Sequence, residues 1–140
     1  MNQILPYSLW LGHVGEGRDY KNVFDAGIKV LVQLAAEEPP LQPPRELVLC
    51  RFPLLDGAGN RAELLFLAVS TVATLLKMNV PTLIVCGAGM SRGPAVAAAA
   101  LAMVHHEPPE KYLENVLAHQ HGDVSPGFWS EITSLLPAVH

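Results

Sequence analysis

Residues 82–94 read Thr82-Leu83-Ile84-Val85-Cys86-Gly87-Ala88-Gly89-Met90-Ser91-Arg92-Gly93-Pro94. Thr82–Val85 is a short apolar, β-branched run and predicts a buried strand. Pro94 to His105 predicts a helix with proline in its first turn, where the missing N–H costs nothing. A strand passing through a glycine-rich turn into a helix is the repeating unit of parallel α/β sheets. In such sheets ligands gather at the carboxyl ends of the strands.

The turn admits four chemical readings. A nucleotide-binding P-loop ends in Gly-Lys-Ser/Thr, and no lysine is present. A dinucleotide fingerprint needs glycine where Arg92 stands. Gly89-Met90-Ser91-Arg92-Gly93 matches the G-x-S-x-G pattern of serine hydrolases, with Asp123 and His140 following in the right order. That serine, however, belongs directly after the strand, and Cys86–Ala88 intervene. The fourth reading is cysteine, five residues, arginine. A loop of that length can wrap a tetrahedral anion with inward-pointing backbone N–H groups, which Gly87 and Gly89 would permit. The helix that follows aims its positive end at the same point. A thiol on the floor of such a loop is expected well below its free pKa of about 8.5. Arg92 would offer a planar fork of donors to two phosphate oxygens. The bland alternative is a glycine-rich turn with a buried structural cysteine and a surface arginine.

Working outward, elements of both kinds alternate. Ile4–Leu11 predicts a strand or hairpin ending near Gly12, and Arg18–Ala26 a helix stopped by Gly27. Lys29–Leu34 and Leu47–Phe52 predict strands, and Arg61–Met78 a helix from its apolar spacing. Helices are expected again over about Pro109–His119 and Pro126–Leu136. Glu37–Pro44 (EEPPLQPP) holds four prolines and reads as an extended surface loop. The expected fold is α/β, a central four- to five-stranded, mostly parallel sheet flanked by helices.

The chain of 140 residues fits one domain, 1–140, and its net charge of −4 offers no broad basic face to nucleic acid or an anionic membrane. Any anion must therefore be held by a local cradle. Two cysteines, Cys50 and Cys86, make neither a disulfide framework nor a zinc site. No secretory leader or membrane-spanning run is read, so the expectation is a cytoplasmic protein, monomeric, with no nucleic-acid or membrane partner.

Thiolate attack on a phosphoester needs a proton for the leaving oxygen. Asp56, in Phe52-Pro53-Leu54-Leu55-Asp56-Gly57-Ala58-Gly59, ends a strand and opens a glycine-rich loop. By itself it reads better as a turn aspartate capping its own backbone. At this point the chain resembles the dual-specificity branch of the protein tyrosine phosphatase superfamily. ILPYSLWLG is similar to the family's opening hairpin and DAGIKVLVQLA to its first helix-to-strand passage. Pro53–Asp56 is similar to the general-acid segment, VCGAGMSRG to the signature loop, and Ser125–Phe128 to the start of the last helix.

The resemblance implies catalysis by Cys86, Arg92 and Asp56. Gly87, Ala88, Gly89, Met90, Ser91 and Arg92 would bind the substrate phosphate. The substrate would be a phosphorylated protein or small phosphoester, attacked through a phosphocysteine, with no metal or other cofactor implied. Two departures stand out: Val85 replaces the family's usual histidine and Gly93 its usual serine or threonine. Losing both should raise the thiol pKa and slow phosphoenzyme breakdown, so weak turnover is expected. The alternative is an inactive phosphate-binding module.

Other residues carry duller expectations. Cys50 reads as a small buried strand residue before a resolving thiol. His105-His106 would meet free helix carbonyls. His119 and His121 lack a third metal ligand in view. Trp10, Phe128 and Trp129 read as core or helix-docking aromatics, and Ser91 as a hydroxyl bracing the loop.

Overall fold

The computed structural model describes residues 1–87 and 90–137. Five strands, β1 (Asn2–Gln3), β2 (Leu9–His13), β3 (Val30–Ala35), β4 (Val48–Leu54) and β5 (Thr82–Cys86), form one sheet in the order β1-β2-β5-β3-β4. β1 is antiparallel to β2 and every other pairing is parallel. Among the described residues three helices connect the strands, α1 (Val14–Gly17), α2 (Tyr20–Asp25) and α3 (Ala62–Lys77), and three follow β5, α4 (Arg92–His105), α5 (Pro109–His119) and α6 (Pro126–Thr133).

Strand periodicity divides the core. Successive side chains point to opposite faces, so Leu83 and Val85 of β5 join Leu31, Val23, Ile28, Leu41 and Leu47 in the smaller cluster. Ile84 and Cys86 face the other way, into the larger cluster with Val32, Leu34, Phe128 and the α4 alanines. Every residue of α4 from Arg92 to Ala102 is buried. A helix closed off on all sides can carry only small or apolar side chains, and Ala97–Ala100 meet that demand with no exposure at all.

The element types match expectation, and the differences sit at the ends. The helix after the signature loop begins at Arg92 rather than Pro94. Its first turn therefore includes the arginine, with the proline two residues further in. The last helix stops at Thr133, short of Leu136. α1, a single turn, has no apolar period to betray it. His105 makes an aromatic contact in place of the expected carbonyl: its ring stacks on Tyr112 (centroids 5.5 Å apart) and tilts against Tyr7. Phe128 is fully buried, with Trp10 and Trp129 packed at the margins of the two clusters.

β4 is an edge strand. Its ladder with β3 slips between Gln33 and Ala35, where Phe52 and Pro53 together pass Leu34. A proline is tolerated at such an irregular edge because it has no N–H to leave unpaired. Among the described residues no helix is long and apolar enough to cross a membrane.

Candidate active site

Cys86 is the last residue of the central strand β5, and its register partner on β2 is His13. The thiol is 1 % exposed. Its sulfur lies 3.5 Å from the Met90 Sδ and 3.8 Å from the Gly87 carbonyl oxygen. Burial pushes the Cys86 thiol above the ordinary value; the backbone N–H of Gly93, the Arg92 guanidinium and the N–H of Ser91 pull it down, and the Asp56 charge adds to the rise. Among the described groups desolvation outweighs the donors, against the expectation of a thiol well below its free value.

Among the described residues of the loop, Met90 has a positive φ (48°) and Gly87 does not. Gly87 is required for room, since a Cβ there would come within 2.9 Å of the Glu37 carboxylate. Ala88 and Gly89 lie outside the described residues, as does His140. Ser91 Oγ accepts a hydrogen bond from the Ser125 N–H at 2.9 Å, so this hydroxyl ties the loop to the segment before α6. Gly122 packs flush beneath the loop; a Cβ there would run into the Met90 carbonyl oxygen.

Arg92 is 2 % exposed. Its Nη1 donates to Glu37 Oε1 (2.7 Å) and the Leu54 carbonyl (2.8 Å), and its Nη2 donates to Glu37 Oε2 (2.5 Å). The fork expected to grip two phosphate oxygens is thus largely spent on protein. Its Nε is buried with no partner among the described residues. Glu37 responds in kind: the Arg92 hydrogen bonds hold its carboxyl down at about 2.

The sequence alone places Glu37 in an extended surface loop. Gln33 is what brings it in. Buried on the smaller face of the sheet, Gln33 donates to the Pro39 carbonyl and accepts from the Leu41 N–H, both at 2.9 Å. That folds the proline-rich segment back along the strand ends. A buried glutamine with both ends satisfied is the only local trace of this, and its partners cannot be read from spacing.

Asp56 is exposed just beyond β4, and its charge acts on both Cys86 and Arg92. A cleft of about 290 Å³ lined by His13, Met90, His121, Gly122 and Asp123 opens beside the loop. Cys50 is half-buried on β4 and free; burial raises its thiol. Its register partner on β3, Val32, is also paired with Ile84. Two strand spacings and a two-residue offset put Cys50 about 12 Å from Cys86. The resolving-thiol reading fails, because a disulfide needs Cα atoms within about 7 Å.

This fold has counterparts among solved structures. Human DUSP28 superposes with a TM-score of 0.83 at 23 % identity, over 96 % of this chain and 94 % of that one. The chain has the dual-specificity phosphatase fold. A mouse protein described as a dual specificity phosphatase and complexed with zinc tungstate shares this fold with a TM-score of 0.82 at 20 % identity, over 96 % of this chain and 84 % of its own. The human tyrosine phosphatase-like serine/threonine/tyrosine-interacting protein shares it at 0.78 and 18 % identity, over 96 % and 93 % of the two chains. Neither a protein-family model nor a curated protein matches the sequence.

Proposed function

We propose that the chain is a cysteine-dependent phosphatase that hydrolyses phosphomonoesters, of a phosphorylated protein or a small molecule, with slow turnover. One observation supports this above the rest. A buried thiol ends the central strand, and beside it the Nε of a buried guanidinium has no partner among the described residues. Buried N–H donors are almost always paired, so an orphan of this kind suits a missing acceptor such as a phosphate oxygen. The tungstate of the mouse structure is a tetrahedral oxyanion of that shape.

In this reading the Cys86 thiolate attacks phosphorus in line. The S–P bond forms as the ester P–O bond breaks, and the carboxyl of Asp56 gives its proton to the leaving oxygen. In the second step the Asp56 carboxylate takes a proton from water, the water oxygen bonds to phosphorus, and the S–P electrons return to sulfur. Arg92 and the N–H groups of Ser91 and Gly93 offset negative charge throughout. The raised thiol, the contact from Met90 and the absent hydroxyl at Gly93 all argue for slow rather than fast chemistry.

An inactive phosphate-binding module is the second reading, favoured by the same neutral thiol. An aryl phosphate assay with vanadate, run on wild type and Cys86→Ser, decides between them. Turnover lost in Cys86→Ser with vanadate or phosphate binding retained supports the enzyme. Wild type that binds phosphate but never releases the aryl alcohol overturns it.

A further inference from the structure

Asp56 carries its proposed proton transfer from an exposed turn, and solvent alone would leave such a turn many conformations. Three sets of contacts close it. Asn60 Oδ1 accepts the Leu55 N–H at 2.8 Å, and its Nδ2 donates to the carbonyls of Leu55 (3.0 Å) and Gly57 (3.2 Å). One amide side chain thus ties residues 55–60 into a ring that includes Asp56. Glu131, on α6, grips the far side: its Oε2 accepts the Gly59 N–H at 2.8 Å and its Oε1 accepts the Asn60 N–H at 3.2 Å. At the near end, the Leu54 carbonyl is bonded to both the Ala36 N–H and Arg92.

The backbone is built for this arrangement. Gly57 (φ 131°) and Gly59 (φ 101°) lie in the region that favours glycine. Gly127, one turn before Glu131 on α6, lets the helix lie against Ala58, whose backbone nitrogen would be 3.2 Å from an added Cβ. A carboxylate on two successive amides is a charge-assisted pair, stronger than neutral contacts.

From these contacts we infer that Asn60 and Glu131 are positioning residues for the general acid, clasping the Asp56 turn so that its carboxyl faces the thiol and Arg92. The inference rests on the phosphatase reading and extends it to α6, which touches no reacting atom. Correct placement of a catalytic group is worth orders of magnitude, and a displacement of about 1 Å can cost about a hundredfold.

The test exploits leaving-group chemistry. Phenyl phosphate releases a basic oxygen that needs the proton, whereas 4-nitrophenyl phosphate releases a stable anion that scarcely does. Asp56→Asn sets the reference, with a loss of about a hundredfold or more in kcat/KM confined to the phenyl ester, since kcat/KM does not report the phosphoenzyme breakdown that both esters share. Asn60→Ala and Glu131→Ala, with Glu131→Gln as the milder variant, are expected to lose about tenfold in kcat/KM on phenyl phosphate. They should change less than about twofold on 4-nitrophenyl phosphate and in vanadate inhibition, because Cys86 and Arg92 are untouched. A loss of equal size on both esters, or no loss on either, overturns the clasp while leaving the phosphatase intact. Wild type inactive on both esters overturns the phosphatase reading and the clasp with it.

Discussion

Cys86 sits in a contest between burial and donors, and burial prevails. Only the thiolate is nucleophilic, so iodoacetamide should modify Cys86 slowly at neutral pH. The rate should climb with a midpoint above the free-thiol value of about 8.5. Alkylation complete at pH 6 would refute that balance. Gly93 offers a second handle. A Cβ there would stand 3.4 Å from the Cys86 sulfur, against the movable side chains of Leu11 and Met90. Gly93→Ser should therefore be accommodated and place a hydroxyl beside the sulfur. A hydrogen bond to a charged group contributes about 1.5–3 kcal/mol, so phosphoenzyme breakdown should quicken by about ten- to a hundredfold. Quench-flow measurement of the covalent intermediate would show it, and an unchanged lifetime would refute it.

Among the elements, α4 carries the tightest constraint. Four successive residues, Ala97–Ala100, project around the full circle of a helix, and all are fully buried. No direction is left for growth. Ala99→Leu should cost about 1–3 kcal/mol by overpacking, seen as a lower urea midpoint at constant slope. Strand identities could be read in advance because apolar, β-branched runs between glycines and prolines leave few options. The start of α4 could not. Proline is common in the first turn and so marked a boundary two residues late; Arg92 begins the helix because its side chain is anchored elsewhere, by Glu37 and Leu54. Likewise no residue type announces a positive φ at Met90, because a side chain there disfavours it.

At the scale of the molecule, the α/β class and a mostly parallel sheet of four or five strands followed from the alternation of elements, whereas the strand order β1-β2-β5-β3-β4 did not. What local pattern cannot carry is contact between distant segments: Glu37 with Arg92 is 55 residues apart, and Glu131 with Gly59 is 72. The first of these should govern acid tolerance. Glu37 titrates at about 2 in the folded chain against an ordinary value of 4.5. The unfolded state therefore binds the proton first, and the stabilisation present above pH 4.5 disappears as pH falls through about 2. Urea midpoints measured across that interval should fall more steeply for wild type than for Glu37→Gln; parallel curves would exclude the pair as the cause.

The strand register that separates Cys50 from Cys86 also decides the chain's fate under peroxide. Oxidation of Cys86 would yield a sulfenic acid, and the only other thiol in the chain, Cys50, is two strands away across an intact sheet. Rescue would then depend on a diffusible thiol such as glutathione, and without one further oxidation to the sulfinic acid becomes irreversible damage.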